Sequence, residues 1–232
     1  MQKKAVAIIT ARGGSKRIPR KNIKDFCGKP ILCYSIEAAL QSQRFDEVMV
    51  STDDEEIADI ARKAGATVPF MRSAAMANDY ASTDEVILEV LQAYSQTGVD
   101  FESFCCIYPT APFITAEKLA TAMDMLKTAD SVMPVVPFSY PPQRGIIIKN
   151  GRIERKYPEY ANSRSQDLEK LYHDCGQFYA CKTAPFLATG TTDVTNLVPM
   201  ILSDLEVQDI DTLEDWAIAE LKYKKMTGAQ LA

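Results

Sequence analysis

The chain has 232 residues, 47% of them hydrophobic, and a formal net charge of −5 from 26 basic and 31 acidic residues. Roughly three quarters of the unfolded surface can be buried at this size, so one domain is expected over residues 1–232, and the acidic balance speaks against a nucleic-acid partner. No apolar run is long enough to span a bilayer and no secretory leader is visible, which reads as a cytoplasmic protein with no membrane partner.

In chain order, the apolar run at residues 5–9 predicts a first strand over residues 4–10. It breaks into a loop with Gly13 and Gly14 and five basic residues, Arg12, Lys16, Arg17, Arg20 and Lys21. Glycines let backbone N–H groups turn toward an anion, and the cations neutralise it, so a phosphate site is expected here. Neither the three-glycine dinucleotide fingerprint nor the P-loop is present. Pro30 predicts a helix start, with Ile31, Tyr34, Ser35 and Ala38 inward. Residues 47–52 predict a second strand. Thr52 and Glu55 have capping-box spacing, and Ile57, Ile60, Ala61 and Ala64 repeat with helical period up to Gly65. Residues 67–71 predict a short third strand. Ser82 and Glu85 suggest another capping box, opening an amphipathic helix through Val86, Ile87, Val90, Leu91 and Tyr94.

Further strands are predicted at 103–108 and 131–136, with a helix between them through Leu119, Ala122, Met123 and Leu126. This alternation implies an α/β fold, a doubly wound, mostly parallel sheet. It breaks at residues 137–175, where Asn150-Gly151 signals a hairpin with strands 145–149 and 152–156. A lone hairpin is not stable in water, so this excursion is expected to pack on the body or on a second subunit, making a homodimer. Strands return at 177–181 and 198–202. Thr212 and Asp215 then open a last helix, with Leu213, Trp216, Ala217, Glu220 and Leu221 along one side.

Ligands sit at the carboxyl ends of parallel strands, where the basic loop emerges. Arg12, Ser15, Lys16, Lys21 and Asn22 are therefore the phosphate or sugar-hydroxyl candidates, while Arg17 and Arg20 fit solvent equally well. Asp209 and Asp211 point the same way in an extended segment and could share a Mg2+ ion with a ligand's phosphates; a helix cap beside an exposed acid is the plain alternative. Asp53 reads as a helix-start residue or a ribose contact. His173, the only histidine, has no nucleophile elbow to serve. The six cysteines lack metal-ligand spacing and read as reduced thiols.

These pieces resemble a known family. IITARGGSKRIPRKN, followed by GKPILCYSIEAAL, is similar to the opening of CMP-sialate synthetases and related nonulosonate cytidylyltransferases. The likeness continues through VSTDDEEIADIARKAGA, the segment 72–83, YPTAPF and DIDTLEDW. Within the family, HDCGQFYACKTAPFL and YPPQRG resemble the members that use pseudaminic acid. Thr10, where IPARGGSK is usual, alters loop stiffness more than chemistry, while Tyr108 before Pro-Thr and Ser163-Arg164-Ser165-Gln166 depart from the sialate pattern and weigh against N-acetylneuraminate.

The resemblance implies a Rossmann-like nucleotidyltransferase that joins CTP to a nine-carbon 2-keto acid sugar, with Mg2+ as cofactor. It implies nucleotide contacts from Ala11, Arg12, Gly13, Ser15, Lys16, Lys21, Asn22, Arg72 and Ser82. Catalytic roles fall on Arg12, Lys21 and Asp211, and metal binding on Asp209 and Asp211. Sugar contacts fall on Tyr108, Arg144, Arg164, Gln166 and Gln177. Legionaminate, acylneuraminate and octulosonate enzymes share the loop, and a non-catalytic nucleotide-binding regulator is the alternative of another class.

Overall fold

The first strand, β1 (Gln2–Thr10), is sheathed on both faces. Its side chains alternate, with Val6 and Ile8 entering one core layer and Ala7 and Ile9 the other. A strand buried on both sides needs helices on both sides, and the chain supplies them. The computed structural model describes residues 2–228.

After β1 come two-residue strands β2 (Asp25–Phe26) and β3 (Lys29–Pro30), helix α1 (Ile31–Ser42), β4 (Glu47–Ser51), α2 (Glu55–Lys63) and α3 (Thr83–Gln96). The chain continues through β5 (Asp100–Ile107), α4 (Ala116–Met125) and β6 (Ser131–Pro137) to the hairpin β7 (Ile146–Lys149) and β8 (Arg152–Arg155). It ends with β9 (Tyr172–Asp174), β10 (Phe178–Lys182), α5 (Thr183–Thr189), β11 (Leu197–Ile201) and α6 (Leu213–Thr227).

The main sheet has the order β11-β6-β10-β5-β1-β4, with β9 added beside β6. From β1 the chain runs outward to β4, then crosses back to β5 on the other side of β1. The strand order therefore reverses at the carboxyl end of β1, where the basic loop leaves. β10 runs antiparallel to both β5 and β6, and β9 antiparallel to β6; the other five strands share one direction. The sheet is thus doubly wound and mostly parallel in direction, with two reversed strands.

Several local expectations are corrected. Residues 67–71 form no strand; Thr67 makes a single parallel bridge to Met49. The cap of α2 is Asp54, whose side chain accepts from Ile57 N, while Thr52 is buried and its hydroxyl accepts from Asp54 N at 3.2 Å. The inner face of α6 is Trp216 and Ala219, with Tyr223 packed alongside, and Leu213 and Leu221 are exposed. The capping boxes at Ser82/Glu85 and Thr212/Asp215 both form.

A separate apolar cluster decides where the site lies. Ile18 from the basic loop, Phe26, Ile31 and Tyr34 pack with Phe113, Ile210, Trp216 and Ala219. Phe26 stands edge-on to Trp216 at 5.4 Å and to Tyr34 at 5.7 Å. This cluster clamps the start of α6, and the acids before it, against the N-terminal loop.

The hairpin stands off the sheet. Asn150 and Gly151 take positive φ of 49° and 73°, the pattern of a tight two-residue turn. Ile148 and Ile153 face each other across it and are 74% and 70% exposed.

Candidate active site

A cleft of about 300 Å3 opens at the carboxyl ends of β1 and β5. Its walls include Arg12, Ser15, Lys16, Arg17, Lys21 and Asn22 from the loop, Arg72, Ser82 and Thr83 opposite, and Tyr108 at the base of β5.

Every cation of the loop has a carboxylate partner. Arg12 Nη1 donates to Asp79 Oδ1 at 2.7 Å, and Lys16 pairs with the same carboxylate. Arg17 pairs with Asp211 at 2.7 Å. Arg20 grips Asp54 and also Glu56, so it braces the loop from outside and does not line the cleft. Lys21 is only 20% exposed; its Nζ donates to the Ile210 carbonyl at 2.6 Å and lies 3.7 Å from Asp211 Oδ1. Burial pulls the Lys21 ammonium below its ordinary range, while the charges of Asp211 and Asp209 hold it up.

Gly13 works differently from the expectation. Gly13 N–H donates to Asp53 Oδ1 at 2.9 Å, and Ser15 N–H to the Gly13 carbonyl. These amides are used inside the protein, so the loop's side chains carry its positive charge into the cleft. What Gly13 supplies is space: a Cβ there would stand 2.8 Å from Asp54 Oδ2 and 3.0 Å from Asp54 Cβ. Ala11 is fully buried below the cleft, its N–H donating to the Ser51 carbonyl. Asn22 is buried, and its amide donates to the Arg12 carbonyl at 2.8 Å, fixing the loop from beneath.

On the opposite wall, Arg72 is buried, with Nε donating to Ser51 Oγ at 3.0 Å and Nη2 to the Ser51 carbonyl at 2.7 Å. Burial lowers its pKa and Asp53 and Glu89 oppose that, but a guanidinium stays charged in proteins. Ser82 caps α3 from the cleft wall, so its hydroxyl has a structural partner.

Asp209 and Asp211 meet the basic loop through Ile210, as the cluster requires. Partial burial and then the Asp211 charge push the Asp209 carboxyl above its usual range. Two oxygen-donor carboxylates that repel one another are a donor set a hard divalent cation would relieve, so the pair fits Mg2+. Among the described residues no group of three or more His, Cys, Asp or Glu side chains converges as a metal site, so such an ion would need further oxygens from its ligand.

A family profile described as cytidylyltransferase matches residues 6–187. Pseudaminic acid cytidylyltransferase of Campylobacter jejuni is 41% identical over 227 residues, covering 95% of this chain and 97% of that protein. The chain belongs to the cytidylyltransferase family. CMP-N,N'-diacetyllegionaminic acid synthase of Legionella pneumophila is 35% identical, over 93% of this chain and 94% of that protein. In fold, this cytidylyltransferase matches a CMP:2-keto-3-deoxy-manno-octonic acid synthetase solved with CTP, at a TM-score of 0.68 and 18% identity, covering 97% of this chain and all of the other.

The remaining site candidates of the cytidylyltransferase divide into two groups. Tyr108 and Gln177 are neighbours on β5 and the lead into β10, joined by Tyr108 N–H to the Gln177 carbonyl at 2.9 Å. The Tyr108 hydroxyl lies 3.2 Å from Thr83 Oγ1, and its ring meets Tyr179 edge-on at 5.7 Å. Tyr179 donates to Asp174 Oδ2. Gln177 is 2% exposed; its Nε2 donates to the Glu206 carbonyl at 2.7 Å, but its Oε1 is buried without a partner. A buried acceptor left empty is costly, and a ligand donor would fill it.

Arg144, Arg164 and Gln166 belong to the excursion and do not line the cleft. Arg144 donates to Ser165 Oγ, Arg164 pairs with Asp167, and Gln166 borders a depression with Phe138, Pro141 and Leu168. His173 is exposed, its ring against Phe138. All six thiols are unpaired and five are buried; burial pushes Cys175 up to about 12.

Three cleft features were not singled out in the sequence: Asp79, Thr83 and the Ile210 carbonyl. An acid in the polar stretch 72–81, opposite a loop with five cations, was the available signal for Asp79. The Ile210 carbonyl carried none, since its role depends on a contact across 189 residues.

Proposed function

We propose that this cytidylyltransferase transfers CMP from CTP to the anomeric hydroxyl of pseudaminic acid, releasing pyrophosphate. The observation that supports the reaction is the contact of Lys21, which lines the cleft, with the Ile210 carbonyl and Asp211, which sets the acidic pair beside the basic loop. The sugar is taken from the Campylobacter jejuni relative's name. The Legionella pneumophila relative supports a legionaminic acid reading as the second choice.

In this reading the C2 hydroxyl oxygen bonds to the α-phosphorus, its proton passing to solvent, as the bond from that phosphorus to the bridging oxygen of the β-phosphate breaks and pyrophosphate leaves with that oxygen. Arg12 and Lys21 stabilise charge growing on the phosphate oxygens, and Lys16 and Ser15 hold the departing pyrophosphate. Asn22, by fixing the Arg12 carbonyl, keeps the loop in place, and Arg72 and Ser82 border the nucleoside. Asp209 and Asp211 would hold Mg2+, which supplies Lewis-acid stabilisation of phosphate charge when bound. Tyr108 borders the sugar from the cleft wall, and Gln177, buried beside it and not lining the cleft, would offer its unpartnered Oε1 to a hydroxyl or amide that reaches it. No protein nucleophile is needed, and positioning plus electrostatics supply most of the rate.

The excursion at residues 137–175 is the proposed dimer contact. Its exposed isoleucines and detached hairpin support a second copy, which would also bring Arg144, Arg164 and Gln166 to a neighbouring cleft. Among the described residues no helix is long and apolar enough to cross a membrane.

The deciding experiment measures pyrophosphate release from CTP with pseudaminic, legionaminic, N-acetylneuraminic and octulosonic acids. Turnover at least tenfold faster with pseudaminic acid is expected. Preference for another acid would reassign the sugar, and no release with any of them would overturn the transferase reading.

A further inference from the structure

The five loop cations are held by two kinds of partner. Arg17 and Lys21 pair with Asp211, and Arg20 with Asp54 and Glu56; these acids lie at or beside the starts of α6 and α2. Arg12 and Lys16 pair with Asp79, which sits on an open segment of the chain between Arg72 and α3.

Asp79 divides its two oxygens, Oδ1 to Arg12 and Oδ2 to Lys16. Arg12 also donates to the neighbouring Asn78 carbonyl at 3.0 Å. Asn78 shapes the turn, its Oδ1 accepting from Tyr80 N at 2.7 Å and Ala81 N at 2.9 Å. Among the described residues the Asp79 carboxylate makes no other hydrogen bond or ion pair. The three side chains are 36%, 79% and 39% exposed, and pairs this open contribute little to folding. Asp79 nonetheless sits in the cleft wall, on the two cleft-lining cations that do not pair with Asp211. One anion sharing its oxygens between an arginine and a lysine is also how a phosphate group would be held there.

We propose that Asp79 is an internal stand-in for a phosphate group, occupying Arg12 and Lys16 until the triphosphate displaces it. This rests on the reading of the cleft as the CTP site. Asp79 then acts as a specificity residue. A ligand must outcompete a tethered carboxylate, which disfavours weakly charged anions and favours polyphosphates. When pyrophosphate departs, Asp79 returns to the same cations and lowers their hold on it. Inorganic phosphate and monophosphates, which carry less charge than a triphosphate, would meet a site already filled.

The test uses calorimetric titration of the full chain with CTP, inorganic pyrophosphate and cytidine, for wild type, Asp79→Asn and Asp79→Glu. Asp79→Asn keeps the shape and removes the charge at an exposed position. It should bind pyrophosphate and CTP more tightly by about two- to tenfold, the scale set by two exposed pairs. The gain should shrink at high salt, where such pairs are screened. Cytidine affinity should not move, and Asp79→Glu should behave as wild type. Pyrophosphate binding to Asp79→Asn that equals or falls below the wild-type affinity, while wild type binds CTP, would overturn the proposal; loss confined to Mg2+-containing buffer would show Asp79 to be a metal ligand instead. Failure of wild type to bind either CTP or pyrophosphate would remove the CTP-site reading itself, and the stand-in with it.

Discussion

Replacing Lys21 by methionine keeps the aliphatic stem and removes one ammonium from the centre of the site. Two separate losses follow from its surroundings. The Ile210 carbonyl, on a residue 1% exposed, loses its 2.6 Å donor. Leaving such a group unsatisfied costs about 1–3 kcal/mol, which for a chain of this length lowers Tm by roughly 2–12 °C. The second loss is catalytic. A preorganised donor aimed at charge that grows in the transition state is worth about 3 kcal/mol, or roughly 100-fold in kcat. The two are separated by assaying pyrophosphate release at saturating CTP and sugar, at a temperature where circular dichroism shows the variant folded. Arg17→Ala is the internal control: it also removes a partner of Asp211, but from a side chain 68% exposed, and should cost less than about fivefold. A Lys21→Met enzyme that is folded and turns over within about threefold of wild type would refute the role assigned to this lysine.

Asp211→Asn should abolish the response of activity to added Mg2+ while α6 stays folded, because Thr212 and Asp215 form the cap; an unchanged Mg2+ titration would rule out the metal role. Gly13→Ala should force the loop away from Asp54 and raise KM for CTP by about tenfold or more, since the contact to Asp54 Cβ cannot be relieved by a rotamer change. Ile148→Asp combined with Ile153→Asp should convert a dimer to a monomer by sedimentation, without lowering the thermal stability of the isolated chain, because both side chains are already exposed. The Arg20 hydrogen bonds hold the Asp54 carboxyl below its ordinary range, so this contribution to stability is present above the unfolded value of about 3.9 and is lost as pH falls through the lower folded value. Arg20→Ala should therefore move the acid-unfolding midpoint, followed by far-UV circular dichroism, to higher pH.

The features legible in the sequence were those written locally. The basic loop after β1, the capping boxes at Ser82 and Thr212 and the Asn150-Gly151 turn each depend on residues a few positions apart, and each forms. The Asp54 cap shows the limit of spacing alone: Thr52 and Glu55 have capping-box spacing, but Thr52 is buried and Asp54 takes the cap. The inner face of α6 was read only in part: Trp216 is buried as expected, but Leu213, Ala217 and Leu221 are exposed and Ala219 and Tyr223 join Trp216 instead. The aromatic cluster around Phe26 fixes that face. Residues 67–71 have strand-like composition, but only Thr67 finds a partner, since the edge strand β4 is itself short. In the site, the cations were visible and their counter-charges were not. Asp79 lies 67 residues from Arg12 and Asp211 lies far along the chain from Lys21, and no local rule pairs groups at such separations.

The clasp of Ile18, Phe26 and Trp216 has a consequence for the order in which the enzyme is built. The loop leaves the ribosome well before Ile210, Asp211 and Trp216, so a nascent chain carries Arg17 and Lys21 without their acid until the residues after β11 have been made. A chain shortened before α6 would retain the central strands yet lack the floor against which its polyphosphate grip is set. The grip is therefore completed only once α6 has been made, and a chain that stops before it can be compact without being an enzyme.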